Sequence, residues 1–583
     1  YQVYASRFRG AGAVVAAQWR VLTGGGAEPQ PFHLNEPADV ARLRAYRTAV
    51  AGLTYRIVRG DMHRHTDISW DGGGDGSLTD AYRYALNGAA LDYLAVTDHN
   101  AGSDQEYSWW RTQKSADLFL LPGRFLPLFG YERSVGYPNG HRNVVFPRRG
   151  VRTLPIRSRE AQEEHGAIPL YQYLTANGGI AMSHTSATTM GTDWRDNDLA
   201  LEPLVEIYQG CRTNYEYEGA PRAASADRPD LQVGGFRPEG FVWNAWARGF
   251  RLGLQSSSDH GSTHMSYACL YVPELSREAL LDAMRKRRAY AATDNIILDV
   301  RMTDAAGEHF LGEEFTASEA PRMAVKAVGT RPITRLEIVR NNAFVYTAAP
   351  GQTSLELQFF DKDLKPGDHY YYVRVEQEDG QLAWSSPIWV RYRPAGAARY
   401  PMLNLAGTVN AASFRPGSVA PGSLVSLFGT GLAKTASSAG SLPLPTALAG
   451  TRVLFNGIPA PLLYVSPLQI NAQVPVEVGG RMASVVVEVD GVAGAPMPVS
   501  LAAAAPGLFP GAVLHAATGR PVEPGAPARP GQTIAIYGTG IGPVNPPAVS
   551  GAPAPVSPLC IAAERPEVTI GGQAATVQFA GLH

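Results

Sequence analysis

The chain is 583 residues long, which at about 150 residues per domain leaves room for about four domains with sizeable cores. Lys and Arg total 51 against 52 for Asp and Glu, so no overall basic field exists to hold nucleic acid or an anionic membrane, and charge recognition must be local. Cys211, Cys269 and Cys560 form no C-x-x-C pair, which excludes a disulfide-dense scaffold and a thiolate zinc cluster, and no apolar run of about 18 residues is present to span a bilayer.

Residues 1–57 carry no catalytic pattern. They read as the end of a β-rich domain followed by a helix near Pro37 to Ala51, with an export signal expected upstream of Tyr1. The informative stretch follows, because 8 of the 13 histidines fall between residues 63 and 264. Gly60-Asp61-Met62-His63-Arg64-His65-Thr66 opens it, and H-x-H at strand spacing turns both imidazoles to one side, close enough to share a metal. The next elements repeat one design. Leu91 to Thr97 is a buried strand ending in Asp98-His99, and Arg124 to Tyr131 ends in Glu132. Gly179 to Ser183 ends in His184, and Leu252 to Ser258 ends in Asp259-His260. Helical patterns at Ser77 to Ala90 and Arg277 to Arg288 separate some of these strands. Strand and helix alternation with polar residues at the carboxyl ends of strands is how an α/β barrel builds a site.

From residue 299 to about 395 apolar and polar residues alternate, as in Leu336 to Arg340 and Tyr370 to Val375, which predicts a small antiparallel β-sandwich. Beyond residue 400 the composition changes: only 13 charged residues remain, while 24 of the 44 prolines lie there, so β-sandwich modules are joined to a different kind of domain. Residues 396–510 and 511–583 echo each other. Pro421-Gly422 to Gly431-Leu432 returns as Pro530-Gly531 to Gly540-Ile541, and the Asn456-Gly457 hairpin returns as Gly571-Gly572. The first copy continues through Pro467 to Pro475, and the second is expected to be cut short at His583.

The order of H-x-H-T, Thr97-Asp98-His99, Glu132, Gly140-His141, Ser183-His184 and Ser258-Asp259-His260 resembles the PHP (polymerase and histidinol phosphatase) superfamily over residues 58–298, and a bacterial branch with Tyr131-Glu132-Arg133-Ser134 in particular. The resemblance implies a multidomain α/β protein with a distorted (β/α)7 barrel holding two or three divalent metal ions, followed by Ig-like β-sandwich domains. It assigns His63, His65, Glu132 and Asp259 to a first metal, Glu132, His141 and His184 to a second, and Asp71, His99 and His260 to a third. Many relatives keep one residue between the final Asp and His, so His264 is an alternative to His260, and Asp75 is an alternative to Asp71.

Imidazoles with carboxylates suit Mn²⁺, Zn²⁺ or Fe²⁺. Paired metals activate a bridging hydroxide and stabilise an in-line displacement, which predicts a phosphoesterase acting on a small-molecule or polymer phosphate ester. Glu132 would bridge the metals. Arg64, Arg133 and Arg142 would clamp phosphate oxygens, and Asp98 would orient an imidazole or act as a general acid. Two rivals remain: a hydrolase of a non-phosphate bond, and a surface adhesion or glycan-binding protein whose barrel is only metal-stabilised.

The tail is similar to a C-terminal module of exported Acidobacteria-like proteins, which implies an extracytoplasmic location and contact with the cell surface. Histidines 33, 309, 369, 515 and 583 read as surface residues, and His165 as lying on a solvated face. Tyr107, Trp109 and Trp110 read as core or as a platform for a substrate ring, and Glu206 as a strand-end carboxylate with a structural or a catalytic task.

Overall fold

The structure, a computed structural model, describes residues 35–99, 106–156 and 166–583. The expectations for His33, for His165 and for residues 1–34 therefore lie outside the described residues.

The described residues start with helix α1 (Glu36–Ala45), which has Pro37 near its start, acidic residues in its first turn and basic ones in its last. The helix stops short of the expected Ala51. Arg47–Val50 instead forms strand β1, paired with β2 (Leu53–Asp61) around an Ala51-Gly52 turn in which both residues have positive φ. A two-residue turn of that handedness matches the twist of a hairpin, so local turn geometry overrides helix propensity here. Next come α2 (Leu78–Arg83), capped reciprocally by Ser77 and Asp80, then β3 (Tyr93–Val96), α3 (Glu106–Leu118), β4 (Leu126–Arg133) and β5 (Arg142–Phe146). They are followed by α4 (Ile168–Asn177), β6 (Ile180–Ser183), β7 (Leu204–Gln209), α5 (Val242–Ala247), β8 (Gly253–Ser257), β9 (Tyr267–Val272), α6 (Arg277–Arg285) and β10 (Ala289–Ala292).

Strands β3, β4, β6, β7 and β8 are buried along their whole length, as their near-continuous apolar runs require when both faces are covered. Strands β2, β3 and β4 are parallel, β5 is antiparallel to both β4 and β6, and β6, β7 and β8 are parallel. Strand β9 runs antiparallel to β2 and β10, and the Ser256 hydroxyl donates to the Tyr267 carbonyl to tie β8 to β9. Overall the protein is multidomain and predominantly β, with few helices.

The region from residue 297 to 392 is mostly antiparallel, with Glu314–Ala317 parallel to Ile388–Tyr392, and is built around a 19-residue strand, Arg322–Arg340, that pairs with four others. It joins the first region through hydrogen bonds, because β10 pairs with Leu382–Ser385. A buried polar junction adds to this. Arg374 donates to Glu216 at 2.7 Å and to Glu337 at 2.9 Å, while Tyr372 and Trp384 also donate to Glu216. All three charged groups are buried.

Residues 402–500 form two five-stranded antiparallel sheets that share one apolar core, including Val425, Leu427, Val453, Phe455 and Ile470. Both hairpins that echo each other in sequence form: Phe455 pairs with Ile458, and Ile570 with Gln573. In residues 507–583 the three two-stranded sheets leave Tyr537, Ile570 and Phe579 exposed.

His369, expected at the surface, is buried. It lies on the strand Gly367–Gln377, where its Nε2–H donates to the Lys365 carbonyl at 2.8 Å and its Nδ1 accepts from Asn341 at 3.2 Å. The Asn341 carbonyl oxygen accepts from the Tyr370 N–H, which fixes the amide orientation. His309, likewise expected outside, stacks on Phe315 with ring centroids 3.5 Å apart.

This packing makes stability depend on pH and on one arginine. Burial pushes the His369 pKa down to about 4, against 6.5 for an ordinary histidine, so the unfolded chain binds the proton first. Stability is then intact above pH 6.5 and declines by about 3 kcal/mol as the pH falls towards 4. Urea unfolding at pH 7 and 4.5 should show a shallower decline for His369→Gln, and equal slopes would refute the assignment. Arg374→Met strands two buried carboxylates, and should cost about 3–5 kcal/mol in the same assay. A loss below about 1 kcal/mol would show that the junction contributes little.

Candidate metal centre

Because β5 alone among β2 to β8 reverses, the carboxyl ends of six strands and the start of β5 share one rim. That rim gathers the polar residues. His63 and His65 follow β2, His99 follows β3, Glu132 lies near the end of β4, and His141 immediately precedes β5. His184 follows β6, Glu206 and Gln209 lie on β7, and Asp259-His260 follow β8. Backbone hydrogen bonds continue past the strand ends and stiffen this rim: Asp259 N–H donates to the His63 carbonyl at 2.7 Å, His65 N–H to that of Asp259 at 3.1 Å, and Glu132 N–H to that of Asp98 at 3.1 Å. Asp259 adopts φ +65°, a conformation that Asp tolerates better than most residues, and the turn sends adjacent Asp259 and His260 to different neighbours.

Four donor atoms converge. His63 Nε2 lies 3.2 Å from His65 Nε2, 3.2 Å from Glu132 Oε2 and 3.1 Å from Asp259 Oδ1. His65 Nε2 lies 3.2 Å from the same Glu132 oxygen and 3.0 Å from the same Asp259 oxygen. Bonds of about 2.0–2.2 Å to one cation place its ligands about 3.0–3.4 Å from each other, and both imidazoles keep that spacing to each other and to each carboxylate. The far nitrogens fix the tautomers. Nδ1–H of His63 donates to Glu206 at 3.2 Å and Nδ1–H of His65 to Ser69 at 3.0 Å, so that both Nε2 atoms face the centre and can bind a cation once their protons leave. The other oxygen of Asp259 accepts from Gln209 at 2.8 Å, Cys211 at 3.2 Å and Arg212 at 3.2 Å.

A second group shares Glu132, whose Oε1 lies 2.6 Å from His141 Nδ1 and whose Oε2 lies 3.6 Å from His184 Nε2. The His184 nitrogen is buried and has no hydrogen-bond partner among the described residues, as an unused ligand atom would be. On the more open side, Asp71 lies 2.7 Å from His99 Nε2 and 3.6 Å from His260 Nε2, and His99 Nδ1 lies 3.0 Å from Glu132 Oε1. Asp75 stands behind this group, accepting from His260 Nδ1 at 2.6 Å, so Asp71 faces the cluster and Asp75 braces it. His264 pairs with Glu36 at 2.8 Å and with Tyr84 at 2.9 Å instead.

Burial disfavours charge on every inner member; attraction overrides it at His63, His65, Glu132 and Asp259, whereas burial wins at His184, held well below its ordinary pKa, and at Glu206, which is raised. Asp259 and Glu206 hold His63 well above its ordinary pKa, and the bonds to Asp259 and Glu132 raise His65 to about 9. Against its own burial, Glu132 is held well below the carboxylate range by His184, His141 and His99. Protons thus occupy sites where a divalent cation would compete.

The other expected residues take different places. Arg142 donates to Glu202 at 3.0 Å and to the Asn139 and Gly140 carbonyls, and Arg133 to the Leu154 and Pro155 carbonyls. Strand alternation explains this for Arg133: with Glu132 facing the cluster, its neighbour faces away. Arg64, opposite His63 and His65, pairs with Asp75 at 3.2 Å. Asp98 accepts from the Thr66 N–H and hydroxyl at 2.7 and 2.8 Å, so it pins the H-x-H-T turn rather than an imidazole. In the aromatic cluster, Trp109 is buried and donates to the Val151 carbonyl, while Tyr107 and Trp110 stack on each other in solvent.

Sequence reasoning missed Gln209, Cys211 and Arg212. Gln209 ends β7 and the other two follow it, as ligands do at the other strands, but no histidine marks them. A cleft of about 2610 Å³, with Tyr217, Trp243, Arg481, Tyr537 and Phe579 in its walls, includes no member of this cluster.

Glu206→Ala removes the acceptor behind His63, and is expected to weaken calorimetric binding of Mn²⁺ or Zn²⁺ by about 10–100-fold with circular dichroism unchanged. Unaltered affinity would remove Glu206 from the centre.

Residues 88–218 match a family model described as "Protein of unknown function (DUF3604)". The chain is 27% identical over 390 residues to a protein of Chlamydia trachomatis and 26% identical to one of Chlamydia muridarum, each named "Uncharacterized protein". Each alignment covers 60% of this chain and 59% of the relative, so the chain spans under two thirds of the length of the curated relatives it matches. Among solved structures, a Bacteroides vulgatus two-domain protein containing a predicted PHP-like metal-dependent phosphoesterase is 13% identical at TM-score 0.32, covering 59% of this chain and 97% of that one. A Bacteroides ovatus mixed-linkage glucan utilization protein, SGBP-B, in complex with a heptasaccharide, is 15% identical at TM-score 0.21, covering 33% and 43%. Likenesses of this size settle neither fold nor activity.

Proposed function

We propose that this chain is a metal-dependent hydrolase of phosphate esters, with strands β2 to β8 forming a distorted (β/α)7 barrel whose rim holds two or three divalent ions. One observation carries the reading: two buried imidazole nitrogens lie 3.2 Å apart, and each lies 3.0 to 3.2 Å from one oxygen of Glu132 and one of Asp259, so three separated parts of the chain meet. In this reading His63, His65, Glu132 and Asp259 hold one ion, Glu132, His141 and His184 a second, and Asp71, His99 and His260 a third. Oxygen and nitrogen donors favour Mn²⁺, Zn²⁺ or Fe²⁺. Bound there, such ions supply Lewis-acid charge for a phosphoryl oxygen and lower the pKa of bound water.

The protein side chains do the rest. Glu132 turns Oε2 to His63, His65 and His184 and Oε1 to His141 and His99, and so joins the groups. Gln209, Cys211 and Arg212 hold one Asp259 oxygen so that the other keeps its aim. Asp71 and His260 are the least buried members, and so define the side from which an ester reaches the centre. The β-sandwich tail belongs to an extracytoplasmic setting in this reading.

Metal analysis of the purified protein and turnover of p-nitrophenyl phosphate and its diester test it. At least two equivalents of metal and chelator-sensitive hydrolysis are expected, with Glu132→Ala losing metal and at least about 10³-fold in kcat/KM. Full metal occupancy without turnover of either ester would overturn the phosphoesterase reading in favour of a non-phosphate hydrolase or a metal-stabilised binding module.

A further inference from the structure

The loop from Thr66 to Gly76 is closed by its own backbone hydrogen bonds, Asp67 N–H to Gly76, Ser69 N–H to Thr66, Gly72 N–H to Ser69 and Asp75 N–H to Gly72, all between 2.8 and 3.1 Å. Gly72 is required there, because a Cβ would lie 2.0 Å from the Thr66 carbonyl oxygen. Both neighbours of Trp70 are fixed to the cluster. Ser69 is buried against His65 Nδ1 and accepts from the His99 N–H, and Asp71 binds His99 and His260.

Between these two anchors Trp70 is 84% exposed. Its ring lies over the His99 imidazole at 5.5 Å between centroids and 23° between planes, on the side where Asp71 and His260 open to solvent. An indole held in water by a rigid turn, beside a polar cluster, forgoes the burial that usually places Trp. Core packing does not account for that position.

Resting on the phosphate-ester reading above, we infer that Trp70 is a stacking platform for the alcohol part of the substrate, and that this part carries a ring, aromatic or sugar, next to the phosphate. The ring covers the exposed indole while the phosphate reaches the Asp71, His99 and His260 side of the centre. Stacking of a base on an aromatic side chain, the closest measured analogue, is worth enough to shift affinity by about tenfold.

Calorimetry on the metal-loaded protein tests this without turnover, using phenylphosphonate, the C-glycosyl phosphonate analogue of a hexose 1-phosphate and, as the ringless reference, methylphosphonate. At least one ring ligand is expected to bind about tenfold tighter than methylphosphonate, and the ligand that does so identifies the ring. Trp70→Ala should erase that advantage and Trp70→Phe keep most of it, with methylphosphonate binding and metal content unchanged in both variants. Equal binding of all three ligands to the parent protein, or an advantage that survives Trp70→Ala, overturns the platform and leaves the metal centre standing. Failure of all three to bind removes the phosphate reading itself.

Discussion

Two imidazoles 3.2 Å apart, each within 3.2 Å of the carboxylates of both Glu132 and Asp259 and all only a few per cent exposed, set the terms for the rest of the molecule. Taking such groups out of water costs several kcal/mol per ion, and attraction returns that cost only where charges of both signs are well placed. The surroundings are arranged accordingly. Glu206 stands behind His63, Ser69 behind His65, and three donors stand behind Asp259. Each outer partner fixes which atom of the inner residue faces the centre, so the cluster's geometry is held before any cation arrives.

The strand order makes this convergence possible. A wholly parallel β2 to β8 would bring His141 to the rim only after a further crossover. The reversal of β5 instead starts a strand at the rim, one residue after His141. Gly140 supports that start, because with φ +89° it lets the backbone pass the Gly191 carbonyl, which a Cβ would meet at 2.7 Å. His141 N–H then donates to the Met190 carbonyl at 2.8 Å, which seats the imidazole beside Glu132.

Much of this was legible in the sequence, and the reason is physical. Strand ends that carry His, Asp or Glu leave a strong signal, because packing alone seldom stops a buried apolar run at an ionisable residue. His63, His65, His99, Glu132, His184 and Asp259 lie where that pattern put them along the chain. The arginines were harder to place. Arg133 and Arg142 adjoin ligands in sequence, yet alternation along β4 and β5 turns them outward to Leu154, Pro155 and Glu202. The sequence also left His369 on the surface, since nothing local reveals that Asn341, 28 residues earlier, closes over it. The β1 hairpin was lost for a similar reason: Ala51 and Gly52 adopt a left-handed turn that helix periodicity does not register.

The region around the long Arg322–Arg340 strand is more than an appendage. Arg374 holds Glu216, next to Tyr215, whose hydroxyl donates to the Gln209 carbonyl oxygen at 2.7 Å. The Gln209 amide then donates to Asp259. A chain of hydrogen bonds and adjacent backbone therefore runs from the second region, through the segment after β7, to a carboxylate of the centre. What it transmits is position, because every member is buried and partnered in a single arrangement. The continuous pairing of β10 with Leu382–Ser385 serves the same end, clamping the sheet from which β8 and Asp259 emerge. A rim that must keep donor atoms aligned to a few tenths of an ångström is thus braced from outside the strands that carry them, and the two regions behave as one structural unit.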